Sequence, residues 1–163
     1  MQKHTITYEK FNKLVSDICR QIANSGWRPD YIVGISRGGL LPAVMISHYL
    51  NIPMKPLQVS LRDGDTVSDL AMAEDAFTGK NILIVDDIND QGSTINWILD
   101  DWSSSCFPES ETLNKIWGNT VRFAVVVDNL SSQARTCVSY WGEEVNKAEN
   151  DVWIDFPYEV WWK

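Results

Sequence analysis

The stretch NILIVDDINDQGSTINWIL, residues 81–99, is the part of the chain from which the fold is best deduced. It opens with four apolar residues at 82–85, whose lack of polar alternation predicts a strand buried on both faces of a parallel sheet. Asp86 and Asp87 follow where this strand is expected to end. Because open α/β folds bind their ligands at the carboxyl edge of the sheet, the two acids mark a candidate binding site.

The residues after the two acids predict a phosphate-binding turn. This turn leads into a helix with apolar side chains from position 95 onward, and it consists of Asp90, Gln91, Gly92, Ser93 and Thr94. Small residues at a helix start expose backbone N–H groups, which together with the helix dipole bind phosphate. For single residues, solvated acids beside an ordinary helix N-cap are an alternative. The ordered combination favours a ligand whose sugar hydroxyls meet the acids and whose phosphate meets the turn.

The segment ILIVDDINDQGST resembles the phosphoribosyl pyrophosphate (PRPP) signature of type I phosphoribosyltransferases, which consists of a strand, two acids and a phosphate turn. The resemblance implies an α/β fold in which a mostly parallel sheet is flanked by helices and carries a flexible hood loop. We expect one domain over residues 1–163. The resemblance also implies an enzyme of purine salvage that transfers the phosphoribosyl group of PRPP to a nucleobase and releases pyrophosphate.

A second strand, loop and helix precede the signature. An apolar strand is predicted at 31–35 and a helix at 40–50, and between them lie Ser36, Arg37, Gly38 and Gly39. Taken alone, this segment is better interpreted as a glycine turn with a surface arginine. Beside the first motif, SRGGLLPA resembles the pyrophosphate loop of the 6-oxopurine phosphoribosyltransferases, in particular their bacterial xanthine-guanine branch. The resemblance implies that these four residues hold the leaving group, because glycines admit close backbone approach and arginine matches phosphate oxygens.

The C-terminal segment DVWIDFPYE resembles the base-binding segment of the same xanthine-guanine enzymes. The resemblance implies that the ring of Trp153 stacks on the base and that the backbone near Ile154 contacts the edge of the base. Stacking of a base on an aromatic ring is typically worth ~1–3 kcal/mol. A C-terminal strand or tail that covers the core is the alternative for this aromatic stretch.

The chain departs from the family pattern after the apolar run RFAVVV, residues 122–127. The family usually has a lysine there that donates to the 6-oxo group of the purine, whereas this chain has Asp128 and Asn129. The amide of Asn129 can donate a hydrogen bond or accept one. The sequence therefore leaves open whether the base is a 6-oxopurine, such as guanine, xanthine or hypoxanthine, or a 6-aminopurine.

The resemblance assigns roles to the acids of the signature. Asp86 and Asp87 would accept from the ribose hydroxyls and stabilise positive charge at the anomeric carbon, and Asp90 would accept a proton from the base. Mg²⁺ would neutralise pyrophosphate, with Asp87 as its protein ligand and most other ligands from substrate and water. A regulator that binds PRPP or a nucleotide without chemistry is the alternative, because a fold does not fix a function.

The remaining predictions concern supporting elements. Apolar side chains at three- and four-residue steps predict an amphipathic helix over 7–23 that ends before Gly26. Prolines indicate that a strand over 54–61 lies at a sheet edge or starts late. The polar segment 62–68 predicts a mobile loop, which the resemblance implies is the flexible hood, and an ordinary surface loop is the alternative. Further predictions are an irregular connection or short helix over 103–119, a strand over 122–127 and a short strand over 138–141.

Composition narrows the class of partners. The formal net charge of -8 argues against general binding of nucleic acids or anionic membranes, which requires excess Lys and Arg. Cys19, Cys106 and Cys137 make an odd number without motif spacing, so we expect a reducing compartment. No stretch resembles a signal peptide or a membrane span. We therefore expect a soluble cytoplasmic protein. The resemblance implies PRPP and a nucleobase as its partners, and an apolar surface near the tryptophans favours a homo-oligomer.

Overall fold

The computed structural model describes residues 1–59, 61, 68–106 and 115–163. Most of the predicted hood and the middle of the predicted connection over 103–119 lie outside these residues. The elements in the described part are, in chain order, β1 (Gln2–Thr5), α1 (Tyr8–Ser25), β2 (Tyr31–Ser36), α2 (Leu40–Leu50), β3 (Met54–Gln58), α3 (Leu70–Phe77), β4 (Ile82–Asn89), α4 (Ser93–Cys106), β5 (Val121–Asn129), β6 (Tyr140–Val145) and β7 (Val152–Asp155).

The main sheet has the strand order β3-β2-β4-β5-β6, and every neighbouring pair is parallel. Its central strand is β4, in which the side chains of residues 82–85 are at most 1% exposed. Ile82 and Ile84 pack in one apolar cluster, whereas Leu83 and Val85 pack in the other. The predicted mostly parallel sheet and its doubly buried central strand are confirmed.

Helices cover both faces of this sheet. One apolar cluster includes buried residues of α1 and α2, and the other includes buried residues of α3 and α4. The predicted amphipathic helix α1 is confirmed, with Thr7 accepting a hydrogen bond from the Lys10 amide at 3.1 Å and Gly26 ending the helix at φ +75°. A left-handed residue after the last turn is a common helix end, and glycine adopts it without steric cost.

Two elements were not anticipated from the sequence. Strand β1 consists of polar, mostly exposed residues without apolar alternation, and it pairs in parallel with β7 in a separate two-stranded sheet. Helix α3 has eight residues and is capped by Asp69, whose carboxylate accepts from the Met72 amide at 3.0 Å. Neither element contributes to the described lining of the large cleft at the carboxyl edge of the main sheet.

Several boundaries differ from the predicted ones. Strand β3 lies at the edge of the sheet as predicted but ends at Gln58, and the last strand of the main sheet runs over 140–145 rather than 138–141. Strand β4 continues through the acids to Asn89, because residues 86, 88 and 89 pair with β5. Within the described residues, no helix combines the length and apolar composition needed to cross a membrane.

Candidate active site

A cleft of about 960 Å³ opens at the carboxyl edge of the main sheet. Its described lining comes from the ends of four neighbouring strands and from the turn before α4. The predicted site residues that line it are Ser36, Arg37, Asp86, Asp87, Asp90, Gln91, Gly92, Ser93 and Thr94. The structure thus brings Ser36 and Arg37, the whole phosphate turn and all three predicted acids to one cavity. The described lining includes neither Gly38 nor Gly39, the other two predicted residues of the arginine loop.

Asp86 and Asp87 occupy the last part of β4, whereas the sequence placed them after the strand. Each carboxylate accepts from a following backbone amide: Asp86 Oδ1 from the Asp87 N–H at 2.8 Å, and Asp87 Oδ1 from the Ile88 N–H at 2.8 Å. These bonds fix the two side chains against the backbone. Burial, and next the negative charge of Asp87, raise the pKa of Asp86 well above its usual range.

The raised pKa of Asp86 predicts a pH-dependent stability. The folded chain binds the Asp86 proton more tightly than the unfolded chain, so the free energy of unfolding falls as pH rises from the ordinary Asp pKa through the raised one. Asp86→Asn is expected to remove this loss, so the difference between its Tm and that of the parent should grow in favour of Asp86→Asn as pH rises above about 4. Thermal unfolding of Asp100→Asn, in which an exposed acid is changed, is the control. A margin that is independent of pH would contradict the prediction.

The turn of residues 90–94 presents the N-terminus of the 14-residue helix α4 to the cleft. Gly92 has φ +88°, and a Cβ there would lie 2.3 Å from the Ala134 amide nitrogen. The neighbouring Gln133 N–H donates to the Gln91 carbonyl at 3.0 Å. The turn therefore packs against residues 133–134 and also lines the cleft, where the amides at the start of α4 and the helix dipole favour an anion.

The loop of residues 36–39 is pressed against β4. A Cβ on Gly38 would lie 2.0 Å from Asp87 Oδ2, and a Cβ on Gly39 would lie 2.3 Å from the Val85 carbonyl oxygen. The two glycines are therefore required by packing within the protein, in addition to any approach of a ligand. As a consequence, Arg37 and the acids of β4 face the same cleft.

Two side chains that sequence reasoning missed contact the predicted acids. Lys147 Nζ lies 2.9 Å from Asp90 Oδ1, and the Lys147 side chain is 17% exposed. Tyr158 Oη donates to Asp87 Oδ2 at 3.0 Å. The sequence around Lys147 contains no motif that marks it, because it lies beyond the end of β6 and reaches Asp90 through the fold. Tyr158 belongs to the aromatic C-terminal segment, in which the sequence resemblance pointed to Trp153 as the site residue.

Asn129 lies at the end of β5 with its side chain buried. Its Nδ2 donates to the Asp90 carbonyl at 2.7 Å. Its Oδ1 accepts from the Lys147 amide at 3.0 Å and from Ser131. The amide of Asn129 therefore connects the backbone of Asp90 to that of Lys147, and its predicted contact with a base stays a prediction.

The structure places Trp153 and Ile154 on β7, away from the residues that line the main cleft. Trp153 is 40% exposed and Ile154 is part of the core, and the described lining of the cleft includes neither residue. The alternative that this stretch forms a C-terminal strand agrees with β7. Stacking of Trp153 on a base stays a prediction.

The donor set of the cleft suits Mg²⁺. Asp86 and Asp87 offer carboxylate oxygens, and no group of three or more His, Cys, Asp or Glu that could hold a metal occurs within residues 1–59, 61, 68–106 and 115–163. Mg²⁺ is usually held by one or two carboxylates together with water and substrate phosphates, rather than by an all-protein cage. The residues present fit this mode of binding.

Comparison with known proteins decides the family. The family model of the phosphoribosyl transferase domain matches residues 4–157. The chain belongs to this family. Xanthine phosphoribosyltransferase 1 of Saccharomyces cerevisiae is 25% identical over 155 residues, which cover 80% of this chain and 74% of that protein. Xanthine-guanine phosphoribosyltransferase of Cereibacter sphaeroides is 30% identical over 143 residues, which cover 84% and 72%.

Solved structures agree on the phosphoribosyltransferase fold. The purine phosphoribosyltransferase from Pyrococcus horikoshii aligns with a TM-score of 0.69 and 23% identity over 98% of this chain and 95% of that one. The predicted type I phosphoribosyltransferase family and fold are confirmed, and the chain is a phosphoribosyltransferase. Within this family the cleft is the candidate active site, since it unites both motifs from which the family was deduced.

Proposed function

We propose that this phosphoribosyltransferase transfers the 5-phosphoribosyl group of PRPP to a 6-oxopurine base and releases pyrophosphate. One observation carries the proposal: an arginine loop, paired acids and a helix N-terminus line a single cleft at the carboxyl edge of the sheet. These three features match the pyrophosphate, the ribose hydroxyls and the 5′-phosphate of one molecule. The names of the relatives in yeast and Cereibacter, a xanthine and a xanthine-guanine phosphoribosyltransferase, support a 6-oxopurine.

The strand order gives PRPP a direction in the cleft. The arginine loop follows β2 and the phosphate turn follows β4, which is the neighbour of β2 in the sheet. In the proposed complex, Arg37 and the amide of Gly38 hold the pyrophosphate. The Gly39 amide, which the resemblance also assigned to this role, donates instead to the Ile35 carbonyl at 2.8 Å. The turn of residues 90–94 holds the 5′-phosphate, and Asp86 and Asp87 accept from the ribose hydroxyls. Asp87 is also the proposed protein ligand of Mg²⁺, which when bound neutralises charge on the leaving pyrophosphate.

The base lies on the side of Asp90 and Lys147 in this proposal. On a 6-oxopurine, the 6-oxo oxygen and N7 share one edge. An ammonium 2.9 Å from a carboxylate is suited to that edge, because Lys147 can donate to the oxygen while Asp90 accepts the N7 proton. The bond from the anomeric carbon to pyrophosphate breaks, the bond to N9 forms, and the N7 proton goes to Asp90. A 6-amino group would instead place its N–H donors opposite the Lys147 ammonium, which is also a donor. The pair of Lys147 and Asp90 therefore favours a 6-oxopurine over a 6-aminopurine.

Changing Lys147 tests this base site. Lys147→Met is expected to raise KM for the base about tenfold, since a charged hydrogen bond is lost, and to leave KM for PRPP within about twofold. Lys147→Arg, which keeps the charge, should lie between Lys147→Met and the parent. Lys13→Met, on the exposed face of α1, is the control. Steady-state kinetics with guanine and PRPP varied in turn provide both constants, and an unchanged KM for guanine in Lys147→Met would remove Lys147 from the base site.

A base panel tests the proposed reaction as a whole. The protein is incubated with PRPP, Mg²⁺ and one of guanine, xanthine, hypoxanthine, adenine or a pyrimidine, and released pyrophosphate is assayed. We expect release with at least one 6-oxopurine and much less with adenine. PRPP binding without release of pyrophosphate from any base would instead favour a regulator that binds PRPP without chemistry.

In line with the sequence, we also propose that the protein is a cytoplasmic homo-oligomer and that each subunit is one domain.

A further inference from the structure

The C-terminal turn, residues 156–159, reaches the cleft through Tyr158. The Tyr158 hydroxyl donates to Asp87 Oδ2 at 3.0 Å and lies 3.3 Å from the carbonyl oxygen of Gly38. It therefore contacts an acid on β4 and the loop after β2 at the same time. Tyr158 lies one position beyond residues 4–157, which the family model matches.

The position of the Tyr158 ring is fixed by packing. Its ring stacks on Phe156 with the centroids 5.6 Å apart and meets Phe11 edge-on at the same distance. Both phenylalanines are buried. The turn is closed by Glu159, whose Oε1 accepts from the Phe156 amide at 2.9 Å. The hydroxyl is thus delivered to Asp87 by a rigid aromatic support on α1 and the C-terminal turn.

The Asp87 carboxylate is held on both of its oxygens. Oδ1 accepts from the Ile88 amide at 2.8 Å and Oδ2 accepts from Tyr158, while the missing side chain of Gly38 leaves room for Oδ2. Loss of this hydroxyl would release Oδ2 toward the Gly38 loop.

We propose that Tyr158 is a positioning residue that fixes the Asp87 carboxylate relative to the Gly38 loop, and thereby sets the spacing between the sugar and pyrophosphate parts of the PRPP site. This inference rests on the proposed function. In this role the Tyr158 hydroxyl makes the C-terminal turn a part of the active site, whereas strand β7 alone would only cover the core. The hydroxyl acts through Asp87, so its effect depends on the presence of that carboxylate.

The test is a double-mutant cycle of Tyr158→Phe and Asp87→Ala, because alanine leaves no acceptor for the Tyr158 hydroxyl at position 87. Tyr158→Phe keeps the ring and its packing on Phe11 and Phe156. We expect kcat/KM for PRPP to fall about tenfold, because a hydrogen bond to a charged group is lost, with KM for the base within about twofold. In the Asp87→Ala background, Tyr158→Phe should change kcat/KM by less than about twofold, since residues that act through one contact are not additive.

A binding measurement and a control variant keep the outcomes distinct. The same four proteins are titrated with PRPP and Mg²⁺ by calorimetry, which provides the cycle even where turnover is too slow to measure. Tyr49→Phe, at the exposed far end of α2, is the control with parent-like constants. Effects of the two changes that multiply independently, or a Tyr158→Phe protein with parent-like PRPP binding and kcat/KM, would overturn the role of Tyr158. A parent protein that binds no PRPP would overturn the proposed function instead.

Discussion

Asp90→Asn is expected to lower kcat about a hundredfold to ten-thousandfold, which is the usual contribution of a positioned general base. Asparagine has nearly the same shape as aspartate and still offers an oxygen to the Lys147 ammonium, which lies 2.9 Å from Asp90 Oδ1. It cannot accept the proton of the base. KM for PRPP should stay within about twofold, because the backbone of the phosphate turn is unchanged.

The measurement for Asp90 is steady-state turnover with saturating PRPP and guanine. Asp100→Asn is the matched control, because Asp100 lies on α4 as an exposed partner of Arg135, and such surface pairs contribute little. An Asp90→Asn protein with the kcat of the parent would remove Asp90 from proton transfer. A large rise in KM for PRPP with unchanged kcat would instead assign Asp90 to the phosphate turn.

Gly39→Ala is expected to lower the stability of the fold strongly. Gly39 has φ −81°, which alanine adopts without strain, so any loss comes from the Cβ itself. That Cβ would lie 2.3 Å from the Val85 carbonyl oxygen, 2.8 Å from the Ile35 carbonyl oxygen and 2.9 Å from the Ile35 amide nitrogen. All three are backbone atoms of the sheet and cannot rotate away. We expect a loss of about 3 kcal/mol in the free energy of unfolding, or roughly 10 °C in Tm.

Gly26→Ala separates steric cost from conformational cost. Gly26 has φ +75°, and no atom beyond its chain neighbours and its own helix backbone lies within 4 Å of the position that a Cβ would take. Alanine there meets open space but an unfavourable backbone conformation, so a loss of about 1 kcal/mol is expected. Thermal and urea unfolding of both variants provide the comparison. Equal losses in Gly26→Ala and Gly39→Ala would show that contact with β4 is not what requires a glycine at position 39.

The central strand and its two motifs could be predicted because their signals are local. An uninterrupted apolar run at 82–85 allows burial on both faces, and the acids and small residues that follow are adjacent in sequence. The signal for the arginine loop after β2 is local as well, because its residues are also adjacent in sequence. Since parallel strands bring their carboxyl ends to one edge, the meeting of both motifs in one cleft followed from the strand assignments.

The contacts of Lys147 and Tyr158 could not be predicted, because they join parts of the chain that are distant in sequence. Lys147 pairs with Asp90 across the sheet, and its position depends on the Asn129 amide, which holds the backbone of both residues. Asn129 stands in the segment where the family usually has a lysine, and this departure pointed to the region. It did not indicate that Lys147 supplies the positive charge there. Strand β1 was missed for another reason: its polar residues gain their pairing from β7 rather than from a buried face.

The electrostatics of the site explain how an acidic protein can bind an anionic substrate. The chain carries a net charge of -8, yet the cleft is lined by Arg37 and by the N-terminus of α4, with Lys147 beside Asp90. Local amides and cations act at short range, whereas the field of distant surface charges is screened by salt over about 8 Å at physiological ionic strength. Binding of PRPP is therefore expected to depend on these groups more than on net charge.

Chromatographic identification of the product tests directly whether this protein transfers a phosphoribosyl group to a purine base. The protein is incubated with PRPP, Mg²⁺ and guanine, xanthine or hypoxanthine, and nucleotide and pyrophosphate are quantified together. We expect a nucleoside 5′-monophosphate of at least one of these bases, formed in equal amount to the pyrophosphate. Absence of nucleotide from all three bases, in a protein that calorimetry shows to bind PRPP, would contradict it.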